Sequence, residues 1–351
     1  MMKVAIQINS IAGGGSERFA VLLANGLSDQ GYAVTLLTGP RQSDEYEVRG
    51  TVNRVELFHG QKIPVSSLIL RHYLIGHQID VCVAIGIEAN LTAALANIML
   101  RTRMILCERN APKEDHLSWK SKLLRKLLYR RGDAFVFQTP DAQAFYSESI
   151  QRKGVVIPNP AKEGLPRRSG MARKEIVAVG RLRPQKNYPL LLKAFSKVHQ
   201  KHSDYQLRIF GKGNSLSELE GLAQTLGIHQ AVTFEGFRTD VHQAMVDSDI
   251  YVMSSDFEGM PNALLEAMAM GFPVVSTDCP CGGPRMLIKD RENGLLTKVG
   301  DVDDLASAIN LLIEDLDLKQ TCACHALHLN EEYALREIIV KWDKLLNFKT
   351  I

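Results

Sequence analysis

The sequence predicts an α/β protein of two doubly wound domains, each built on a parallel sheet with helices on both faces. Short apolar runs alternate along the chain with longer amphipathic runs, which is the pattern of such sheets. The alternation stops at Asn159–Arg173, a stretch rich in proline, glycine and charge that is typical of a linker, and then begins again. The length of 351 residues also exceeds what one hydrophobic core usually supports.

Each half contains five predicted strands. In the first half they are Val4–Ile8, Ala33–Leu37, Val81–Ile85, Met104–Cys107 and Ala134–Phe137, with helices at Ser16–Gln30, Asn90–Met99 and Ser118–Arg130. In the second half they are Ile176–Val179, Gln206–Phe210, Val232–Phe234, Ile250–Met253 and Val274–Ser276. The second-half helices are Tyr188–His199, Ser215–Leu226, Leu264–Met270, Val302–Glu314 and Glu331–Leu346. Doubly wound sheets bind ligands at the carboxyl ends of their strands, so we expect the halves to face a central cleft there.

Composition and charge narrow the class of protein. The hydrophobic fraction of 45% and the charged fraction of 23% are those of an ordinary globular protein. A net charge of +3 is too small to indicate a nucleic-acid partner. No apolar run approaches the roughly 20 residues that span a bilayer, and Met1–Ile8 is too short and interrupted for a signal peptide. The six cysteines form no CxxC pair, so we expect a protein of the reducing cytoplasm.

Two glutamates eight residues apart, Glu258 and Glu266, form the most informative motif. Pro261 suits the first turn of a helix, and positions i and i+8 of a helix lie within about 80° of each other. We therefore expect Glu258 in the loop before the helix and Glu266 about two turns inside it, within reach of one ligand. Carboxylates accept hydrogen bonds from paired hydroxyls, such as those of a sugar or a ribose. The alternative is a solvated helix with two ordinary surface glutamates.

Two turns after predicted strands are suited to anions. The glycines Gly13–Gly15 would let backbone N–H groups approach an anion at a helix N-terminus. Arg18 stands where a dinucleotide-binding motif needs its last glycine, which disfavours NAD. In the second half, Arg181 and Lys186 would bring two cations to one strand end, as a diphosphate requires, although a surface basic turn is the simpler interpretation. The histidines His59, His72, His229 and His242 show no partner pattern and are interpreted as structural or exposed.

Together these motifs resemble those of the family 4 retaining glycosyltransferases of GT-B type, including enzymes of bacterial surface polysaccharide and O-antigen. The matching segments follow the family's order and span nearly the whole chain. They are Gly13–Arg18, Cys107–Asn110, Ile157–Pro160, Gly180–Arg181 with Lys186, Gly211–Gly213, Ser254–Glu266 and Asn293–Leu296.

The resemblance implies two Rossmann-like domains with separate tasks. Residues 1–160 would bind the acceptor and 161–330 the nucleotide sugar, and we expect a C-terminal helix at 331–351 to pack back on the first domain. Glu258, Arg181 and Lys186 are the implied catalytic residues. Arg181 and Lys186 would hold the diphosphate, Glu258 the donor sugar and Glu266 the ribose. The backbone at Gly259, Met260 and Pro261 would line the donor sugar, and that near Gly14 and Gly15 would face the phosphates and the acceptor.

The first domain departs from the family at one point. Many members carry a histidine that touches the donor sugar, but the local sequence here is Glu108-Arg109-Asn110, and these three residues become the acceptor-side candidates. The resemblance also implies catalysis without a metal or another cofactor. No Asp-x-Asp pair ends a predicted strand, and Arg181 with Lys186 could replace a cation.

The stretch Lys113–Arg131 mixes leucines and Trp119 with many cations. A basic amphipathic helix of this kind is typical of contact with an anionic membrane surface. The alternative is a solvated helix that packs its leucines, Leu123, Leu124, Leu127 and Leu128, on the core. The membrane interpretation implies an acceptor linked to a lipid diphosphate and a location on the inner face of the cytoplasmic membrane.

The sequence thus predicts a retaining glycosyltransferase. It would move a hexose or N-acetylhexosamine from a nucleotide sugar, expected to be a UDP-sugar, to a lipid-linked saccharide in polysaccharide or O-antigen biosynthesis. One alternative is a sugar-nucleotide epimerase or hydrolase on the same fold. The other is a relative that binds a glycan or nucleotide without catalysis.

Overall fold

The computed structural model describes residues 1–109, 111–113, 119–168 and 172–348. The chain forms two compact units. The first unit consists of Met1–Pro160 with Leu335–Ile351, and the second unit is Ala161–Ala334. The C-terminal segment therefore belongs to the first unit from Leu335 onward, four residues after the predicted boundary at 331.

The described part of the first unit contains a parallel sheet of seven strands. They are β1 (Lys3–Gln7), β2 (Ala33–Thr38), β3 (Asn53–Glu56), β4 (Val81–Ile85), β5 (Arg103–Cys107), β6 (Ala134–Phe137) and β7 (Gly154–Val156), in the order β3-β2-β1-β4-β5-β6-β7. The helices are α1 (Gly15–Asp29), α2 (Ile63–Gly76), α3 (Ile87–Ala96), α4 (Trp119–Leu128), α5 (Pro140–Ala144) and α6 (Glu148–Gln151). The order reverses beside β1, as in doubly wound sheets that bind ligands at such a switch.

The second unit repeats this plan with six strands in its described residues. They are β8 (Arg173–Val179), β9 (Gln206–Phe210), β10 (Val232–Gly236), β11 (Ser248–Met253), β12 (Val274–Thr277) and β13 (Leu295–Thr297), in the order β10-β9-β8-β11-β12-β13. Its helices are α7 (Tyr188–Lys201), α8 (Leu216–Thr225), α9 (Val241–Met245), α10 (Asn262–Ala269), α11 (Gly283–Leu287), α12 (Val302–Glu314), α13 (Leu316–Ala326) and α14 (Leu329–Glu332). The last helix, α15 (Leu335–Asn347), packs on α1 of the first unit: a Cβ on Gly26 would lie 2.5 Å from Ile339 Cδ1, and Trp342 is fully buried.

All ten predicted strands are confirmed, but several elements were missed. The helix α2 escaped prediction because it is apolar on every side: Val65 and Leu68 are exposed while Leu70 and Leu74 are buried, so no amphipathic stripe marks it. The strands β3 and β7 form the two edges of their sheet and are short, so they lack a buried apolar run. In the described residues no helix combines the length and the apolar character that crossing a bilayer requires.

The basic helix α4 corrects one interpretation. Of its four leucines only Leu128 is buried, whereas Leu123, Leu124 and Leu127 are exposed, and Trp119 is 71% exposed. The expectation that these leucines pack on the core is therefore wrong for three of the four. Residues 114–118 of the predicted basic stretch lie outside the described residues.

Candidate functional site

The turn after β8 is tied to the loop after β11 by hydrogen bonds. Asn187 adopts a left-handed conformation and caps α7 by accepting a bond from Leu190 N. Its Nδ2 donates to Asp256 Oδ1 at 2.6 Å, and Gln185 Nε2 donates to the carbonyl oxygen of Phe257 at 3.0 Å. The backbone N–H of Asp256 donates to the carbonyl of Gln185 at 2.9 Å. Two sequence motifs that lie some 70 residues apart are thus held as one structure.

Lys186 and Glu258 meet at this junction. Lys186 Nζ lies 2.6 Å from Glu258 Oε1, and Ser255 Oγ donates to the same oxygen at 2.8 Å. The side chains of Lys186 and Glu258 are 18% and 10% exposed. Lys186, which is predicted to bind the diphosphate, therefore lies beside Glu258, which is predicted to bind the sugar. Water only partly screens the attraction between their charges.

The loops around this pair approach each other too closely for side chains. Gly211 follows β9 with a φ of +146°, and a Cβ there would lie 1.9 Å from the carbonyl oxygen of Gly180. A Cβ on Gly283 would lie 1.8 Å from the carbonyl oxygen of Gly259. Larger residues at Gly211 or Gly283 would push apart the backbone that carries Lys186 and Glu258.

Arg181 is placed differently from Lys186. Its side chain is exposed and makes no hydrogen bond or ion pair with the described residues. The structure therefore brings Lys186 and Glu258 together but leaves Arg181 outside that pair. An exposed guanidinium keeps its donors available to a phosphate.

The second glutamate of the motif sits on α10, whose start differs from the prediction. The helix begins at Asn262, and Pro261 is its N-cap, so Glu266 lies about one turn inside the helix. The prediction that Glu266 lies about two turns inside it is wrong. Glu258 lies before the helix, and helical spacing does not relate the two carboxylates. The two carboxylates instead share an effect on Tyr251 of β11. The pKa of its phenol is raised well above the usual value, mainly by burial and then by the charges of Tyr188, Glu258 and Glu266. Both carboxylates therefore lie near the same buried ring.

Glu266 has a partner that the sequence did not reveal. His242 Nε2 lies 2.8 Å from Glu266 Oε2, and Lys162 Nζ lies 3.4 Å from His242 Nδ1. His242 shows no partner pattern in the sequence, but the structure pairs it with Glu266. No local pattern marks this contact, because it joins α9 to α10 across 24 residues of sequence.

In the first unit, Gly14 and Gly15 form the start of α1. Gly14 is the N-cap, and the helix begins at Gly15, one residue before the prediction. The carboxylate of Glu17 lies over Gly14, where a Cβ would come within 1.9 Å of Glu17 Oε2. The first turn of α1 therefore already has a negative group near its N-terminus, which the helix dipole favours.

Glu108 lies just beyond β5 and is only 4% exposed. Tyr146 Oη donates a hydrogen bond to Glu108 Oε2 at 2.5 Å, and Tyr129 Oη donates to the same oxygen at 3.4 Å. Burial, followed by the Glu108 carboxylate, raises the pKa of the Tyr146 phenol far above its usual value. Glu108 is thus part of a buried polar network.

Arg109 is also buried, at 5% exposure. Its guanidinium stacks 3.7 Å from the centroid of the Phe19 ring, and Nη2 donates to Asn159 Oδ1. Its Nε and Nη1 have no hydrogen-bond partner among the described residues. Burial lowers the pKa of Arg109 to about 10. Asn110, the third acceptor-side candidate, lies outside the described residues.

The acidic residues and cysteines add little to this picture. Asp301 caps α12 by accepting bonds from Asp303 N and Asp304 N. In the part of the chain that the structure describes, no three His, Cys, Asp or Glu side chains are grouped as metal ligands. All six cysteines lie within that part, and none forms a disulfide bond.

Both units match known sequence families. Residues 14–160 match the family described as Glycosyl transferase 4-like domain, and residues 166–326 match Glycosyl transferases group 1. The chain belongs to the family 4 glycosyltransferases. The two matches cover all strands of both sheets except β1 and include every candidate site residue from Gly14 to Glu266.

Similar proteins agree with this membership. A Haemophilus influenzae protein named as an uncharacterized glycosyltransferase is 27% identical over 99% of this chain and 100% of its own length. A Campylobacter jejuni N-acetylgalactosaminyltransferase, whose name specifies a diphospho-undecaprenol-linked acceptor, is 26% identical over 91% of this chain and 92% of its own length. The Anabaena protein HepE, solved with UDP and glucose, has a TM-score of 0.83 at 21% identity, over 99% of this glycosyltransferase and 100% of HepE. The likeness to HepE shows that the fold is GT-B.

Proposed function

We propose that this glycosyltransferase moves a hexose or N-acetylhexosamine from a UDP-sugar to a lipid-linked saccharide, with retention of configuration, in bacterial polysaccharide or O-antigen assembly. The observation that carries the proposal is the Lys186–Glu258 pair at the strand ends of the second unit. The undecaprenol-linked acceptor in the name of the Campylobacter jejuni relative supports the acceptor class. HepE, solved with UDP and glucose, supports the donor class.

In this proposal the second unit binds the donor through four side chains. The exposed Arg181 donates to the diphosphate, and Lys186 shares its three donors between a phosphate oxygen and Glu258. Glu258, held by Lys186 and Ser255, accepts a hydrogen bond from a hydroxyl of the sugar. Glu266 accepts hydrogen bonds from the ribose hydroxyls. The backbone of Gly259, Met260 and Pro261 lines the sugar.

The chemical step needs no metal in this scheme. The bond from the anomeric carbon to the diphosphate oxygen breaks, and Arg181 and Lys186 neutralise the charge that develops there. A bond from the acceptor oxygen to the anomeric carbon forms on the same face. The acceptor proton passes to an oxygen of the departing diphosphate. Retention follows because entry and departure share one face.

The roles of the first-unit candidates stay predictions. The amides near Gly14 and Gly15 remain candidates to face the phosphates and the acceptor. The burial of Glu108 and Arg109 favours a structural role over direct contact with the acceptor.

A panel of nucleotides tests the donor. We expect UDP-sugars, and not GDP-, ADP- or dTDP-sugars or NAD, to raise the melting temperature in EDTA, because ligands of the native state stabilise it by mass action. Arg181→Ala should weaken this shift, with Arg183→Ala as the matched control on an exposed neighbour. A shift with another nucleotide alone would replace the proposed donor. Transfer that requires a divalent ion, or an inverted product by NMR, would overturn the mechanism.

We also propose that α4 contacts an anionic membrane surface. Its exposed face combines Trp119, Leu123 and Leu127 with cations, and a neighbouring cavity of about 360 Å³ is lined by Lys122, Arg125, Lys126 and Arg130 beside Phe145 and Tyr146. Each cation near such a surface contributes about 1 kcal/mol to membrane binding.

Flotation with lipid vesicles tests this surface. We expect the protein to float with phosphatidylglycerol vesicles but not with phosphatidylcholine vesicles. Leu123→Gln with Leu127→Gln should abolish flotation, whereas Leu68→Gln, on the exposed side of α2, should not; equal flotation of both variants would refute the surface.

A further inference from the structure

The contact between His242 and Glu266 is largely shielded from solvent. Their atoms Nε2 and Oε2 are 2.8 Å apart, and the side chains are only 13% and 12% exposed. His242 lies on α9 and Glu266 on α10, both within the second unit. A largely buried carboxylate that lost this partner would lose part of the compensation for its desolvation. The contact therefore restricts the orientation of Glu266, at a cost in rotamer entropy.

The position of Lys162 selects one tautomer of the His242 ring. The ammonium group of Lys162 can only donate, and it lies 3.4 Å from His242 Nδ1. In the tautomer that satisfies both contacts, Nδ1 accepts from Lys162 and Nε2 donates its proton to Glu266. This assignment follows from the hydrogen-bond network. The chain Lys162–His242–Glu266 therefore delivers a directed N–H group to one carboxylate oxygen.

A glutamate on a helix otherwise samples several rotamers about three side-chain torsions. A fixed donor on Oε2 selects one of them and sets the plane of the carboxylate. The carboxylates of Glu266 and Glu258 both raise the pKa of the buried Tyr251 phenol, so the charges of both motif glutamates act on one residue of β11. An oriented carboxylate can meet two neighbouring hydroxyls without a further loss of freedom.

We propose that His242 is a positioning residue for the donor nucleotide. It holds the Glu266 carboxylate in the orientation that accepts hydrogen bonds from the ribose hydroxyls, and Lys162 fixes the ring that does so. The inference rests on the proposed function, since it assigns Glu266 to the ribose. His242 itself touches neither the sugar nor the phosphates in this proposal.

The main competing explanation is that the contact only ties α9 to α10. A tie of that kind would change stability but would not depend on the hydroxyls of the ligand. The two explanations are separated by measuring binding of UDP and of 2′,3′-dideoxy-UDP, which lacks both ribose hydroxyls, by calorimetry. The ratio of the two dissociation constants reports the hydroxyl contacts alone.

We expect His242→Ala to weaken UDP binding about tenfold, the size of one charge-assisted hydrogen bond, and to leave dideoxy-UDP binding within about twofold. Glu266→Ala should reduce the ratio of dissociation constants in the same way. His242→Gln retains an N–H donor of similar reach and should restore most of the ratio. His229→Ala, at an exposed histidine of the same unit, is the matched control.

Each result decides a separate point. If His242→Ala weakens both ligands equally, or neither, the positioning role is wrong while the nucleotide site stands. If Glu266→Ala leaves the ratio unchanged in a protein that binds UDP, Glu266 does not hold the ribose and the inference fails with it. If the wild-type protein binds none of UDP, GDP and ADP, the proposed function itself is overturned. Loss of the ratio in His242→Ala with recovery in His242→Gln supports the proposal.

Discussion

The strand ends of the two units carry polar residues in opposite circumstances. In the second unit, Lys186 and Glu258 are paired with each other and remain partly exposed. In the first unit, Glu108 is enclosed by tyrosines and Arg109 is stacked on Phe19. The same kind of sheet edge can therefore leave its charged groups open to a ligand or bury them in its own interior.

The two units differ in whether solvent or a ligand can reach the charged groups. Lys186 and Glu258 are only 18% and 10% exposed at the side chain, yet solvent still reaches them, so a ligand can join or replace their contact. Arg109 has Nε and Nη1 enclosed without a partner in the described residues. A ligand could reach those nitrogens only after the surrounding packing moved.

The largest expected effect is on catalysis in the second unit. Glu258→Gln keeps the volume but removes the charge that holds Lys186, and we expect transfer to fall by about 10²–10³ with little change in melting temperature. The same range is expected for Arg181→Ala. Glu218→Gln, at an exposed glutamate of α8, is the control. Normal turnover in Glu258→Gln would show that Glu258 has no role in the mechanism. The charged residues of the second unit would then differ from those of the first only in exposure.

A smaller effect on stability is expected in the first unit. Tyr146→Phe removes the hydrogen bond to the buried Glu108 carboxylate, and this should lower the free energy of unfolding by about 1–3 kcal/mol. Tyr188→Phe, whose hydroxyl donates to the neutral carbonyl of Gly180 at 3.1 Å, should cost only about 0.5–1.5 kcal/mol. Urea denaturation measures both. Equal losses would show that the hydrogen bond to the Glu108 carboxylate contributes no more to the free energy of unfolding than a hydrogen bond to a neutral carbonyl.

The smallest expected effect concerns Arg109. Arg109→Met replaces a buried cation by an apolar chain of similar length, which is often neutral or stabilising, and Asn159 Oδ1 keeps the donor of Gln138 at 3.1 Å. We expect the free energy of unfolding to change by less than about 1 kcal/mol. Transfer activity should also persist. Loss of activity in a stable Arg109→Met protein would instead support Arg109 as an acceptor-side residue.

Much of the fold was predictable because parallel strands are buried on both faces and are apolar in sequence. All ten predicted strands are present, but the edge strands β3, β7 and β13 and the helix α2 were missed, since edge strands and an evenly apolar helix lack that signal. The residues Lys186, Glu258 and Glu266 were identified from short motifs. The start of α10 was not, because Pro261 fits both an N-cap and a first helical position.

The two-unit α/β plan, the strand ends that carry the candidate site and the family could all be inferred from the amino-acid sequence. Each of these depends on local pattern and on motif order along the chain. Three-dimensional packing was needed to show that Lys186 pairs with Glu258, that His242 contacts Glu266 and that Glu108 and Arg109 are buried. The reason is that contacts between residues 24 to 72 positions apart depend on how the loops pack, and no local pattern records that packing.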